Sequence, residues 1–167
     1  LLKLGSNPGQ HLMNIRRLIE FCELSIKKLA LYGLHYAKGI CDREVVDLLV
    51  AVDFGSDAQL LDEALSVIDR TYGVSPDLLT STDIEILIGK IGAVSELDDQ
   101  LHHVEQFLAL ASARTPEIVI RMLLERVRQA ASLEDDSERN WQPLPYVHFG
   151  DAFRGMHVSP QYKDLMR

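Results

Sequence analysis

Four side chains able to exchange protons or hold an anion, His148, Asp151, Arg154 and His157, fall within ten residues near the end of this 167-residue chain. If that stretch folds back on itself, they converge as the pocket of an all-helical enzyme or ligand-binding domain. Just before them runs Trp141-Gln142-Pro143-Leu144-Pro145-Tyr146-Val147-His148-Phe149-Gly150, punctuated by proline and rich in aromatics. Buried tryptophan and tyrosine anchors dominate protein interfaces, and long non-helical connections are often binding loops. Trp141, Tyr146, His148 and Phe149 are therefore the candidate partner-binding residues. The competing reading is that these rings pack on the flank of the preceding helices.

No catalytic signature supports the pocket reading. The sequence has no phosphate-cradling glycine pattern, no HExxH, no GxSxG and no paired CxxC, so no catalytic residue, cofactor or metal is assigned. His102 and His103 are adjacent on a helix, about 100° apart, and cannot aim at one metal as an i, i+4 pair would. Cys22 and Cys41 lack metal or redox spacing, which points to a reduced, cytoplasmic setting.

Composition narrows the classes further. A chain that is 47% hydrophobic and 25% charged is ordinary for a globular domain and excludes a disordered segment or a small disulfide scaffold. The net charge of −8 argues against non-specific nucleic-acid binding, which needs a positive field. No apolar run reaches the ~20 residues that span a bilayer. The charge is uneven: residues 1–41 carry six basic and two acidic side chains, net +4, and residues 42–99 carry three and fourteen, net −11. The acidic block suits a basic partner, but many of its members, such as Asp42, Asp57 and Asp83, sit near helix starts, where the macrodipole favours them. The basic N-terminal helix bears Arg16, Arg17, Lys27 and Lys28, interrupted by Glu20 and Glu23.

The elements that must position these residues are helical throughout. Asn7-Pro8 opens a helix whose Leu12, Ile15, Ile19, Cys22, Ile26 and Leu29 recur at three- and four-residue steps as far as Gly33. Asp42 caps a second, with Val45, Val46, Leu48, Leu49 and Val52 inward, and Gly55 ends it. Ser56 with Gln59 caps a third, stopped by Gly73. Ser75-Pro76-Asp77 starts a short turn, and Thr82 with Glu85 caps a helix carrying Ile84, Leu87, Ile88 and Ile91. Gly89 and Gly92 weaken that helix, by up to ~1 kcal/mol each, and would permit close helix contact. Ser95 caps the next helix, with Leu97, Leu101, Val104, Leu108 and Ala111 inward. Thr115-Pro116-Glu117 opens another, with Ile118, Val119, Met122, Leu123 and Val127 inward and Glu117, Arg121, Glu125 and Arg128 paired along one face.

These starts repeat. Asp42 and Thr82, Ser56 and Ser95, and Ser75-Pro76 and Thr115-Pro116 are offset by 40, 39 and 40 residues. A helix pair cannot bury its own apolar face, so such units stack on neighbours. Over residues 7–131 the chain resembles HEAT-like helical repeats. That resemblance implies an all-α fold of antiparallel helix pairs stacked as a short right-handed HEAT- or armadillo-like α-solenoid; the alternative is an irregular helical bundle. The expected organisation is stacked hairpins over 1–131, with repeat-like units at 42–81 and 82–131, a connector over 132–158, and the start of a truncated further helix at 159–167.

A second resemblance rests on the Pro-Glu-Ile-Val helix, the polar connector, Pro-Leu-Pro-Tyr with its nearby histidine, and Ser-Pro-Gln-Tyr-Lys-Asp-Leu-Met-Arg. Residues 113–167 are similar to helical-repeat regions of large bacterial multidomain proteins, including STAND-type NTPases, whose nucleotide-binding motif this sequence lacks. The function implied is a non-catalytic scaffold or sensor, possessing a protein or a neighbouring domain as partner and neither a membrane nor nucleic acid, within a larger bacterial defence or signalling protein.

Overall fold

Apolar side chains at helical spacing, separated by capping residues and proline, produce seven α-helices among the described residues and no strand. The computed structural model describes residues 8–132 except 38, 40, 56, 95–96 and 98–100. The helices are α1 (Pro8–Phe21), α2 (Leu24–Leu34), α3 (Asp42–Ala51), α4 (Ala58–Ser66), α5 (Ser81–Ala93), α6 (His102–Arg114) and α7 (Pro116–Ser132), with short 3-10 turns at His35–Ala37 and Pro76–Leu78.

The single long helix expected from Asn7 to Gly33 is two helices. Straight, it would extend about 40 Å and could not set both halves on one core. The chain instead breaks at Cys22-Glu23 and α1 packs on α2. Leu12 and Ile19 are buried on α1, and Ala30, Leu31 and Leu34 on α2, while Ile26 and Leu29, expected inward, are exposed. Gly33 does not stop α2, which runs through Leu34 into the 3-10 turn.

Several expected caps move by one or two residues. Asp42 is the first helical residue of α3 and its carboxylate accepts from the Gly39 amide. Ser56 lies outside the described residues, and Asp57 caps α4 by accepting from the Leu60 amide at 2.9 Å. Thr80 with Asp83, not Thr82 with Glu85, forms the capping box of α5. Both pairs have the right spacing, and the ion pair of the buried Asp83 with the half-exposed Arg43 favours the first. α3 ends at Ala51 and α4 at Ser66, ahead of the glycines expected to stop them. Gly73 has another use: the Val74 amide bonds the Val67 carbonyl at 2.7 Å, and a Cβ on Gly73 would stand 1.9 Å from that same oxygen. Ser95 also lies outside the described residues, and α6 begins only at His102, with Leu97 and Leu101 buried ahead of it.

The helices form two rows. α1, α3, α5 and α7 pack each on the next, and so do α2, α4 and α6; the rows meet through α1 with α2, α4 with α5, α5 with α6, and α6 with α7. One apolar cluster runs from Leu12 to Leu123 and includes residues of all seven helices. Each fully buried Leu, Ile or Val contributes roughly 1.5–3 kcal/mol.

Polar ties recur between first-row helices. Arg43 near the start of α3 bonds Asp83 near the start of α5 at 2.8 Å. At the other end, the Lys90 ammonium of α5 donates to the Val52 carbonyl just past α3 and lies 5.4 Å from the Phe54 ring centroid. α3 and α5 are therefore parallel. The pattern repeats one step on: Arg121 of α7 pairs with Glu85 of α5 at 2.8 Å, and Arg126 of α7 donates to the carbonyls of Gly92 at 3.0 Å, Ile91 at 3.4 Å and Val94 at the end of α5. Arg121 thus leaves the ladder expected within its own helix, where Arg128 and Glu125 stand 3.8 Å apart. Of the two glycines, Gly92 serves close packing, since a Cβ there would lie 3.1 Å from Met122 Cγ; Gly89 has open space.

Arg126 is 1% exposed, whereas Val127, expected inward, is exposed. Burial pulls the guanidinium's pKa down to about 10, which leaves it charged at pH 7. Replacing it by methionine keeps the apolar stem and strands buried carbonyls, each costing about 1–3 kcal/mol without a donor. Arg126→Met should lower unfolding free energy by roughly 2–4 kcal/mol in urea melts; a loss within 0.5 kcal/mol, roughly the scatter of neutral surface changes, would contradict the capping role.

The Arg43 guanidinium, followed by the Thr80 amide and hydroxyl, holds the Asp83 carboxyl well below the usual carboxylate range against the opposing effect of burial. Because the unfolded value is near ~3.9, this stabilisation is fully present above that pH and is lost as pH falls through the folded pKa. The Arg43 side chain is 45% exposed, so solvent discounts the pair. Asp83→Asn should cost roughly 1–2 kcal/mol at pH 7, and the gap to wild type should close as melts are taken below pH ~4. A gap unchanged down to pH ~2 would contradict this assignment.

Candidate binding surface

The bend that separates α1 from α2 also determines what the hairpin presents to solvent. Glu23 precedes α2 in an extended conformation, its carbonyl accepting from the Ile26 and Lys27 amides and its carboxylate from the Ser25 hydroxyl at 2.8 Å. With Ala30, Leu31 and Leu34 turned to the core, the opposite side of α2 and the outer side of α1 carry apolar residues that no other described helix covers. Of thirteen large hydrophobic residues exposed among the described residues, eight lie from Met13 to Tyr36, so this hairpin holds most of the exposed apolar side chains of the described part of the chain.

Its geometry is that of two helical stripes. Met13, Arg17 and Phe21 share a face of α1 at i, i+4 and i+8, and Leu29, Tyr32 and Tyr36 follow one another at i, i+3 and i+7. Phe21 is 81% exposed and Leu29 69%. Tyr32 and Tyr36 meet edge-on with ring centroids 5.8 Å apart, and the Tyr36 hydroxyl donates to that of Tyr32 at 3.4 Å. That bond, followed by the electrostatic effect of Tyr32, raises the Tyr36 pKa.

The basic residues noted here do not form a phosphate-binding row. Arg16 pairs with Glu20 at 2.7 Å and Lys28 turns to Gln59 of α4 at 3.1 Å. Arg17 lies between Met13 and Phe21 on their face of α1, and Lys27, half-buried, lies on the side of α2 that carries Ala30, Leu31 and Leu34.

Two grooves accompany this surface. Between α5 and α7 a cleft of about 570 Å³ has Ile88, Gly89, Gly92, Ile118 and Met122 in its lining, with the Glu85–Arg121 pair also on it. A smaller one of about 280 Å³ lies among Leu65, Ile68, Phe107 and Leu110 with Asp69 and His103 at its edge.

Most of the polar groups near the core are committed to structure, Ser112 Oγ being buried without a hydrogen-bond partner. Asp62 of α4 accepts from the His103 and Val104 amides at 2.8 and 2.9 Å, supplying α6 with the N-terminal cap its own sequence lacks. Burial raises its pKa, and those amides and His103 pull the other way. Burial also pushes the Cys41 thiol up, as do Glu44 and Asp42, which keeps it from being a thiolate nucleophile. His102 bonds Gln106 and its ring meets His103 at 5.5 Å. Among the described residues no group of three His, Cys, Asp or Glu side chains is placed to hold a metal, and no helix is long and apolar enough to cross a membrane.

Trp141, Tyr146, His148 and Phe149, together with Asp151, Arg154 and His157, lie outside the described residues, as do the connector beyond Ser132 and the helix start at Ser159. The hairpin face is thus a site the sequence reading passed over, although its signal was present: Leu29, Tyr32 and Tyr36 repeat at helical spacing on the side away from Ala30, Leu31 and Leu34. No known protein family, curated protein or solved structure matches this chain.

If the face is surface and not core, its side chains carry little stability. Leu29→Ser should change the unfolding free energy by about 0.5 kcal/mol or less, while Leu31→Ala, two residues away and fully buried, should cost about 2–5 kcal/mol. Equal losses in thermal melts would contradict this partition.

Proposed function

We propose that the chain is a non-catalytic helical-repeat scaffold that holds a protein partner or a neighbouring domain of its own chain. The observation that carries this reading is the recurrence of one joint: in successive first-row helices, a cation near the end of one helix caps the carbonyl end of the helix before it, Lys90 on Val52 and then Arg126 on Ile91, Gly92 and Val94. Repeated joints between parallel helices, each touching only its neighbours in the row, are what stacked helix pairs require. On this reading the two rows are the two walls of a short right-handed HEAT- or armadillo-like solenoid, working in the cytoplasm.

The chemistry on hand supports binding over catalysis. Asp62, Asp83 and Arg126 are engaged with backbone or with each other's helices, and the exposed surface offers apolar and aromatic side chains. From the resemblance noted in the sequence of residues 113–167, we further propose a sensor role within a larger bacterial defence or signalling protein.

Photo-crosslinking in the native host tests this. A benzophenone amino acid at Tyr32, Tyr72, Ile86 or Leu124, all exposed, should give a discrete protein adduct from at least one face. Adducts to no protein from any of the four positions would overturn the scaffold reading.

A further inference from the structure

The cleft between α5 and α7 is apolar, has glycine in its lining and lies close to where α7 ends. We propose that it is the seat of the chain's own segment 141–149, with the Trp141 indole over Gly89. This goes beyond the scaffold reading and does not rest on it.

The cleft has room and a defined chemistry. It holds about 570 Å³, within the range of pockets that bury a ligand. A Cβ added at Gly89 would meet nothing within 4 Å, so the floor beside Ile88 is left open by the absence of a side chain. Ile118 and Met122 supply apolar wall from α7. The charges on the lining already have partners: Glu85 pairs with Arg121, Glu125 stands 3.8 Å from Arg128, and Arg126 bonds carbonyls of α5. An occupant therefore needs apolar or aromatic groups and no charge.

Segment 141–149, which lies outside the described residues, has that composition. It reads Trp-Gln-Pro-Leu-Pro-Tyr-Val-His-Phe, with three aromatic rings besides its histidine and no Asp, Glu, Lys or Arg. Its two prolines bring no amide N–H, a donor that an apolar wall would leave unsatisfied. The covalent chain delivers it to the right place. Gln129 is on the lining, three residues before Ser132 at the end of α7. From Ser132 the chain reaches at most about 30 Å to Trp141, while the cleft runs about 16 Å along α7 from Gln129 to Ile118. A tether this short holds the segment at an effective concentration on the order of millimolar, which favours it over a second copy or a foreign peptide.

Trp141 is the chain's only tryptophan, so the emission of the purified full chain reports its surroundings. That emission should be blue-shifted and poorly quenched by acrylamide relative to the same chain in urea. Gly89→Leu fills the cleft without a clash and replaces a poor helix former by a good one. Circular dichroism should show its helices intact while the emission moves to that of the unfolded chain. Leu124→Ser, exposed on α7 and not on the cleft, should leave the emission unchanged. In the otherwise unaltered chain, a benzophenone amino acid at Gln129 should crosslink within one molecule to a peptide of 141–149, mapped by mass spectrometry.

Emission already matching the unfolded chain, or a blue shift that a folded Gly89→Leu retains, would overturn the proposal. So would a blue shift lost in Leu124→Ser, which places the indole on another face of α7. A crosslink from Gln129 that joins two molecules assigns the cleft to a second copy and overturns it as well, as does no crosslink to 141–149. The crosslinking in the native host judges the scaffold reading separately.

Discussion

An α-helix that stops against a neighbour leaves carbonyl oxygens without amide partners, and in a two-row stack those ends lie where water has little access. Side chains of the following helix meet this demand. Arg126 reaches three carbonyls at the end of α5, and Lys90 reaches Val52 past α3. Each cation also lies against the negative pole of the helix it caps. Arg126 is buried between α5 and α7, so this one residue both fills space and satisfies the backbone. Remove that donor and both the helix end and its packing on the next helix of the same row lose their fixed point.

The helices themselves were legible because apolar period and capping chemistry agree along most of the chain. Val45, Val46, Leu48 and Leu49, and Ile84, Leu87, Ile88 and Ile91, read as core from spacing alone and are buried. Less legible were the points at which two local signals compete. Thr80-x-x-Asp83 and Thr82-x-x-Glu85 are both capping boxes by spacing, and only the Arg43 partner forty residues away selects the first. The bend at Cys22-Glu23 escapes a periodicity argument because the stripe from Leu12 to Leu29 runs through it unbroken.

Arg126 and Leu29 are complementary lessons. Hydrophobic patterning places a charge outside and a leucine inside, and here the arginine is buried and the leucine exposed. The reason is the same in both cases: periodicity identifies a face of a helix and says nothing of what stands opposite. Opposite Arg126 is a row of carbonyls, and opposite Leu29 there is no other helix of the described chain. That is also why the repeat of Leu29, Tyr32 and Tyr36, present in the sequence, could not be read as an exposed face, since an uncovered apolar stripe and a core stripe have the same pattern.

Asp62 carries a different consequence. The start of α6 is held by a carboxylate that belongs to α4, so the boundary of one helix is written in the sequence of another. Among the described residues α6 has no capping side chain of its own, since Leu101 stands at its N-cap, and its first turn is held by α4 docked beside it. Order would then pass down the second row in one direction, from α4 to α6, as the chain is made. The array behaves in that respect less like beads joined by a common glue than like masonry, in which each course is levelled on the one laid before it.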